Sequence, residues 1–600
     1  MASNATLETG VLDILNTALN GTETQSLPSS HAASSYSPRD FFLLDVRICV
    51  VALAIIYLGS HGALRRPPSA APPRDKNDGQ GDDDDDAAAA QSDGFPQGLM
   101  LSDAILLPIM AAVTLVGMYY LIQWLQDPAM LNKLLRYYMA TVSMVSVLTL
   151  YAHAMDLATS LLFPTYWRGS DGSLRKIDQQ NQAVALCDAA GNVVVAAEAA
   201  DSSSPSSSPS SSDPTTNPLP GWLALLAPTQ RLRAAAWKLR GVFFQRWKLE
   251  FFASGMGELK IQLRFSHMVA LLLSVGTALA YFSTESSSLS NLLAYGACYG
   301  SFLLLTPTDF LIGSLVLWGL FFYDILMVFY TPYMKTVALT LDVPIKLTFQ
   351  NGLTKNIIGL GDIVIPGMMI AWALRLDLWL HYVGKIKYES TDLVLIERDA
   401  TSGQILERRE TKHREIKARY MDVRGHWGDD FWSRGVMFLS RSRQLPPHLS
   451  GARFAKVYFH AAMAGYALGM AVTMTVLRIS KHGQPALLYL VPGVLGAMVA
   501  TALARGEFKD LWRYTEDGSL DTVDVVVDLD GDGNAIKRIG ALENGVVDTT
   551  KDEENKGNKG NKDDKEQNKD EEDKGGEKCG EGRGSRRRRV LALSIEAVEA

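Results

Sequence analysis

The sequence predicts an all-α polytopic membrane protein with nine transmembrane helices, and three observations carry that expectation. Apolar residues are gathered into blocks close to the ~20 helical residues needed to cross a hydrocarbon core of about 30 Å. Polar, low-complexity inserts separate the blocks, and mean hydropathy is near zero only because hydrophilic tails and loops average against them. Formal net charge is -7 over 600 residues, too small to imply a nucleic-acid partner.

The predicted spans are, in order, 41–61, 99–124, 134–157, 263–282, 290–307, 310–331, 356–375, 454–477 and 484–503. Neither a basic start nor a cleavage site precedes the first block, so it is expected to remain as a signal anchor behind the tail 1–40. Arg65 and Arg66 follow that block closely while only Arg39 stands just before it, which predicts a cytosolic loop 62–98 and a lumenal N-terminus. The sequons at Asn4 and Asn20 lie in this tail and are glycosylation candidates on the lumenal side. Nine spans then leave the inserts 164–262 and 378–453 and the tail 504–600 in the cytosol.

Loop 62–98 with its "DDDDDAAAA", the stretch 199–218 and the tail from about 545 cannot bury enough apolar surface to offset ordering entropy. Disordered inserts and tails are therefore expected, and the basic run 586–589 reads as solvated rather than lipid-bound. The stretch "RLRAAAWKLRGVFFQRWKLEFF", 231–252, fits either a basic amphipathic helix on the membrane or one packed on the bundle.

Metal and cysteine chemistry find no support. Cys49, Cys187, Cys298 and Cys579 have no paired spacing, and His153, His267 and His460 sit on different spans without an HExxH pattern. "DLDGDGNAIKRIG", 528–540, begins like a calcium loop but has Ile539 where a bidentate Glu is needed, so a turn between two strands is preferred. No cofactor is expected. Asp45, Arg47, Asp103 and Asp309, near span starts, read as helix–helix or interfacial polar contacts.

Two acids at membrane depth stand apart. Asp324 lies in "LIGSLVLWGLFFYDILMVFY" and Asp362 in the next span, "NIIGLGDIVIPGMMIAWAL". Each costs a few kcal/mol at the centre of a bilayer, so two in consecutive helices call for a shared role. The connection 332–355 is short enough to make the helices neighbours. At ~4 Å two carboxylates repel by roughly 4 kcal/mol, which favours one proton held between them, as in an aspartic-protease dyad. Gly359 and Gly361 next to Asp362 loosen the helix and admit close backbone approach, and the irregular backbone calls for a water-filled cavity. Pro485 suits the first turn of the last span and says little by itself.

Taken in order, "YD" at Tyr323 and Asp324, "GLGD" at 359–362 and "PAL" at 485–487 resemble the intramembrane aspartyl proteases of the presenilin and signal peptide peptidase family. "DVPIKLTF", "GLGDIVIPG", "YFHAAMAGYALGM" and "QPALLYLVP" bring the chain nearer to the signal peptide peptidase branch, over 290–377 and 453–512. A short loop between the acid-bearing spans and a lumenal N-terminus separate it from presenilins.

The resemblance implies a presenilin-like intramembrane protease fold. It implies cleavage of membrane-embedded helical peptides, such as remnant signal peptides and type II membrane proteins, in the endoplasmic reticulum membrane. Asp324 and Asp362 take the catalytic positions, while Tyr323, Gly359, Leu360, Gly361, Pro485, Ala486 and Leu487 take those that shape the site and substrate entry. A homo-oligomer or a complex in membrane-protein degradation is implied by the resemblance alone, and the chain lacks the dilysine retrieval signal of some relatives. The rival reading is a transporter or a quality-control scaffold whose buried acids bind protons or cations.

Overall fold

The structure is a computed structural model and describes residues 38–72, 98–125, 128–169, 172–179, 182–187, 217–253, 257–284, 286–341, 343–351, 354–398, 405–424, 427–434, 453–480, 483–521, 525–529, 535–543, 546–547 and 591–598. Asn4, Asn20, the acidic run of the first loop, most of 199–218, Cys579 and the basic run 586–589 lie outside the described residues.

The bundle opens with α1 (Pro38–Gly62), α2 (Leu101–Leu125) and α3 (Pro128–Leu162). An insert follows, with β1 (Tyr166–Arg168), β2 (Leu174–Asp178), β3 (Ala183–Cys187), α4 (Gln230–Phe244), β4 (Arg246–Ala253) and β5 (Gly257–Arg264). The bundle resumes with α5 (Phe265–Thr284), α6 (Ser287–Leu304) and α7 (Phe310–Phe329). A connection of α8 (Tyr333–Thr340), β6 (Lys346–Asn351) and β7 (Thr354–Gly359) leads into α9 (Gly361–Val383). A second insert carries β8 (Lys387–Arg398), β9 (Ile405–Ile416) and α10 (Trp427–Arg434). Then come α11 (Val457–Ser480), α12 (Leu487–Arg505), α13 (Phe508–Arg513), β10 (Val525–Leu529), β11 (Ala535–Glu543), β12 (Val546–Val547) and β13 (Leu591–Val598).

Among the described residues eight helices are long and apolar enough to cross a membrane. The remaining expected span, 290–307, corresponds to α6, whose eighteen residues include Ser287, Ser288, Ser290 and Asn291 and are less apolar than the rest. It is nonetheless packed inside the bundle through Leu293, Cys298 and Phe302.

The seventh span differs from its expected bounds, 356–375, at both ends. Asn356 to Gly359 are strand, because "TKNIIG" pairs antiparallel with "KLTFQN" from Lys346↔Gly359 to Asn351↔Thr354, and β-branched isoleucines suit a pleated surface. The helix then runs on to Val383, past Arg375 and Asp377, which had closed the apolar run. Both charges are buried and bonded inside the protein. Arg375 Nε donates to Glu516 Oε1 at 2.6 Å, and Asp377 accepts the N–H groups of Tyr458 (3.1 Å) and Phe459 (2.9 Å) in the first turn of α11.

The inserts and tail are partly built of sheet. Strands order as β1-β2-β3, as β13-β4-β5 and as β12-β11-β10-β9-β8, so the tail pairs with both inserts: through β10, beside the expected turn, and through β13, in a part expected to lack regular structure. Residues 528–540 fall in the antiparallel β10–β11 pair, with 530–534 outside the described residues. The basic stretch 231–252 divides at Gln245, whose backbone is extended, into α4 and β4. On α4, Trp237 is buried with Trp167 and Ile177, and Arg240 donates to Gln179 Oε1 at 2.6 Å, so this helix packs on the strands of its own insert. Loop 62–98 is ordered at its start, where Leu64 and Ala70 are buried and Ala71 bridges to Arg419.

At the centre stands α9. In it 89% of the spanning window is buried, against 0–39% in the other seven, so it is enclosed by protein where they face lipid. Small residues make this enclosure tight. A Cβ on Gly59 or Gly367 would come within 2.2 or 2.4 Å of the Phe302 ring, which therefore fills a notch shared by α1 and α9. Gly465 of α11 and Gly493 of α12 bring their backbones together in the same way, a Cβ on Gly465 lying 2.2 Å from the Gly493 oxygen.

Glu516 closes the bundle at the far end of α9. It accepts from Arg375, from Arg65 just beyond α1, and from the Tyr514 hydroxyl at 2.9 Å, all at a buried position. Burial pushes its carboxyl up, but the charges and hydrogen bonds of Arg375 and Arg65 outweigh this and hold it below the ordinary 4.5. Its contribution to stability is thus present above pH 4.5 and lost as pH falls through the lowered folded value. Glu516→Gln is expected to cost about 3 kcal/mol at pH 7, because one buried charge is removed and two guanidinium groups remain. Unfolding in detergent at pH 7 and pH 4 checks this, with the variant losing less than the parent on acidification.

Candidate active site

Asp324 lies on the buried stripe of α7 with Val316, Leu317 and Leu320, a spacing that turns all four to one helix face. Its carboxylate accepts the N–H of Leu487 at 3.1 Å. Leu487 is the first residue of α12, so this bond satisfies one of the orphan donors of a helix start and sets a carboxylate at the positive end of the helix. Pro485 is buried just before that start, and Ala486 is the residue at which the helix begins to form. The "PAL" segment therefore delivers a main-chain donor to the acid of "YD".

Asp362 occupies the first turn of α9, half-buried, and its main-chain oxygen accepts the Tyr466 hydroxyl of α11 at 3.3 Å. Gly359 ends β7, Leu360 precedes the helix and Gly361 opens it. The acid thus stands at a strand-to-helix junction instead of seven residues into a span. Neither glycine has a left-handed backbone. A Cβ on Gly359 would stand 3.5 Å from Asp362 Oδ2, and one on Gly361 3.6 Å from Ile365, so each glycine leaves room for about a methyl group at ordinary contact distance.

Helices α7, α9 and α12 meet in pairs around this point, and Asp324 lies within charge–charge range of Asp362. Tyr323, Leu360 and Ala486 are half-buried and pack against the main core, beside Leu487, which belongs to it. Asp324, Asp362 and Leu487 are thus brought to one junction of three helices and a hairpin, and the other six motif residues adjoin them in the chain.

The hairpin is anchored by side chains that sequence reading did not single out. Asn291 of α6 donates from Nδ2 to the Thr348 oxygen at 2.7 Å and accepts the Thr348 N–H at 2.9 Å. Asn356 of β7 donates to Asp45 of α1 at 3.1 Å, and Asp45 in turn pairs with Arg478 of α11. Arg47, two residues further along α1, lies over the Phe349 ring at 5.8 Å. Asp45 and Arg47 are therefore the helix-to-element contacts expected of them, and Asp103 accepts the Met100 N–H at 2.8 Å near the start of α2.

Because Thr348 turns both backbone polar groups outward, Thr348 and Ile357 form a non-hydrogen-bonded pair of the antiparallel ladder. Ile357, and Gly359 two residues on, then direct their own N–H and C=O away from β6. The outer edge of β7 leads to Asp362, whose carboxylate accepts the N–H of Gly359.

Among the described residues no group of three His, Cys, Asp or Glu is arranged to hold a metal. His153 instead shares a 2.5 Å hydrogen bond with the Tyr299 hydroxyl, and His267 accepts the Arg264 N–H at 3.2 Å.

A family model described as signal peptide peptidase matches residues 92–518. The chain is similar to a probable intramembrane protease of Schizosaccharomyces pombe, 30% identical over 259 residues, covering 42% of this chain and 66% of that protein. It is 29% identical over 227 residues to the signal peptide peptidase of Homo sapiens, covering 36% and 41% of the two chains. It is 32% identical over 222 residues to intramembrane protease 2 of Caenorhabditis elegans, covering 36% and 35%. The matches thus span less than two thirds of each relative's length.

The space at the glycines yields a separable test. Gly361→Ala meets only ordinary contacts and removes a flexible residue from a helix start, so unfolding stability is expected to stay within about 1 kcal/mol of the parent, on the stabilising side. Thermal unfolding in detergent measures it, and a loss well beyond that would show the junction to be tighter than described.

Proposed function

The chain belongs to the signal peptide peptidase family, and from that premise we propose that it is an intramembrane aspartyl endopeptidase whose catalytic pair is Asp324 and Asp362. The observation that carries this reading is the meeting of two membrane-depth acids at a junction where one of them also receives the N–H of Leu487.

The chemistry needs no metal. The ionised member of the pair takes a proton from a water molecule while the oxygen of that water bonds to the scissile carbonyl carbon. The protonated member donates to the carbonyl oxygen. When the tetrahedral intermediate collapses, the C–N bond breaks and the departing nitrogen takes up a proton, leaving a new carboxyl and a new amine. The two acids titrate as a unit, so the resting proton belongs to the pair.

Substrate geometry follows from the same surroundings. A peptide bond in a helix is hydrogen-bonded and shielded, so cleavage requires local unwinding, which frees N–H and C=O groups that lipid cannot satisfy. The outer edge of β7 supports this step at Ile357, whose backbone groups point away from β6 among the described residues, while the N–H of Gly359 is taken by the Asp362 carboxylate. The methyl-sized room left at Gly359 and Gly361 supports close passage of an extended segment.

Substrates are proposed to be membrane-embedded helical peptides, especially remnant signal peptides and type II membrane proteins. The proposed setting is the endoplasmic reticulum membrane, with a lumenal N-terminus, glycosylation at Asn4 and Asn20, and a cytosolic C-terminus. Association into a homo-oligomer or with degradation machinery belongs to the same proposal.

Purified protein and a signal-peptide-like substrate in detergent provide the decisive assay. Asp324→Asn and Asp362→Asn should each lower kcat at least ~10²–10⁴-fold, the range lost with a general acid or base, while both variants remain folded. Cleavage at the parent rate by either one rules out the pair. Ion flux in reconstituted vesicles without peptide products would instead identify a transporter.

A further inference from the structure

We propose that Asn291 is a positioning residue of the reaction, its carboxamide occupying the outer edge of β6 as a neighbouring strand would and so fixing the hairpin that ends at Asp362. The inference rests on the protease reading above and deepens it. A single carboxamide that both donates to and accepts from one residue, Thr348, reproduces the paired bonds of an antiparallel ladder at one rung. It does so from a helix 57 residues earlier in the chain.

Two consequences follow for the site. First, β6 loses its free edge at Thr348, which leaves the outer edge of β7 at Ile357 as the side on which an extended peptide would pair, just before Gly359 turns its N–H to Asp362. Second, the hairpin is held against the bundle on both strands, by Asn291 through β6 and by the Asn356–Asp45 bond through β7. The rung at Lys346↔Gly359 lies two residues from Thr348, and Leu360 donates to the Ile345 oxygen at 3.1 Å. Displacement of β6 is therefore transmitted directly to the start of α9, where the carboxylate stands. Asn291 itself reaches neither carboxylate in the set of hydrogen bonds it makes, which is why its part is one of positioning.

The test uses the full chain in detergent, with steady-state cleavage of a signal-peptide-like substrate and hydrogen exchange of the peptides covering 343–360. Asn291→Ala should lower kcat about tenfold, the order expected for two lost hydrogen bonds, with KM changed less than about twofold. Exchange should rise across 346–359 and stay at the parent level in α11 and α12.

Asn291→Asp supplies a readout that a merely structural role would not move. A protonated carboxyl presents one donor and one acceptor, as the carboxamide does, whereas the ionised form can only accept. The ratio of variant to parent kcat should therefore approach one at acidic pH and fall as pH rises.

Parent-level kcat in Asn291→Ala, unchanged exchange at 346–359, or a pH-independent ratio for Asn291→Asp would each overturn the proposal. A parent protein that cuts no substrate would sink the protease reading and this proposal together. That outcome is distinguished by appearing before any variant is made.

Discussion

Polar groups held at membrane depth have no water to turn to, and the architecture follows from the need to bond them within the protein. Helices solve this for their own backbones, but acids, strand edges and helix ends require partners supplied from elsewhere in the chain. Here those partners are drawn from neighbouring elements. Asp324 takes the unpaired N–H of Leu487, Asp377 takes two from the start of α11, and Asn291 takes both groups of Thr348. In the first two cases a carboxylate and a helix start satisfy each other, which offsets part of the cost of burying either.

The same economy explains why α9 lies at the centre. A helix carrying Asp362, Arg375 and Asp377 is a poor companion for lipid, yet a good one for other helices that bring it donors and acceptors. Small residues allow those helices near enough, and the Phe302 ring seated against Gly59 and Gly367 ties α1, α6 and α9 at a single point. A junction between strand and helix then costs less at Asp362, because Asn291 bonds the outer edge of β6 and the Asp362 carboxylate takes the N–H of Gly359.

Much of this was legible from residue order. Long apolar runs located the helices, and the three motifs located the junction, because such signals are local and repeat with helical spacing. Limits of the seventh span were not legible, since Arg375 and Asp377 look like the end of a membrane segment until Glu516 and the start of α11 are known to receive them. Nor was the strand at 356–359, where isoleucine suits helix and strand alike in a short apolar run. Asn291 gave no signal at all, being one polar residue among serines whose partner is distant in the chain. Tyr466 stood inside a motif that pointed to the family, but nothing in its spacing pointed to Asp362. The strand pair around 528–540 was legible, but strands in the inserts and at the end of the tail were hidden by composition, which reports average polarity and is blind to pairing between remote segments.

The bond between Arg65 and Glu516 joins residues 451 positions apart. At a synthesis rate of about 5–20 residues per second, the guanidinium leaves the ribosome roughly 20–90 s ahead of the carboxylate that will neutralise it. Throughout that interval Arg65 lacks this partner. Closure of this end of the bundle therefore waits on translation of the segment that carries Glu516.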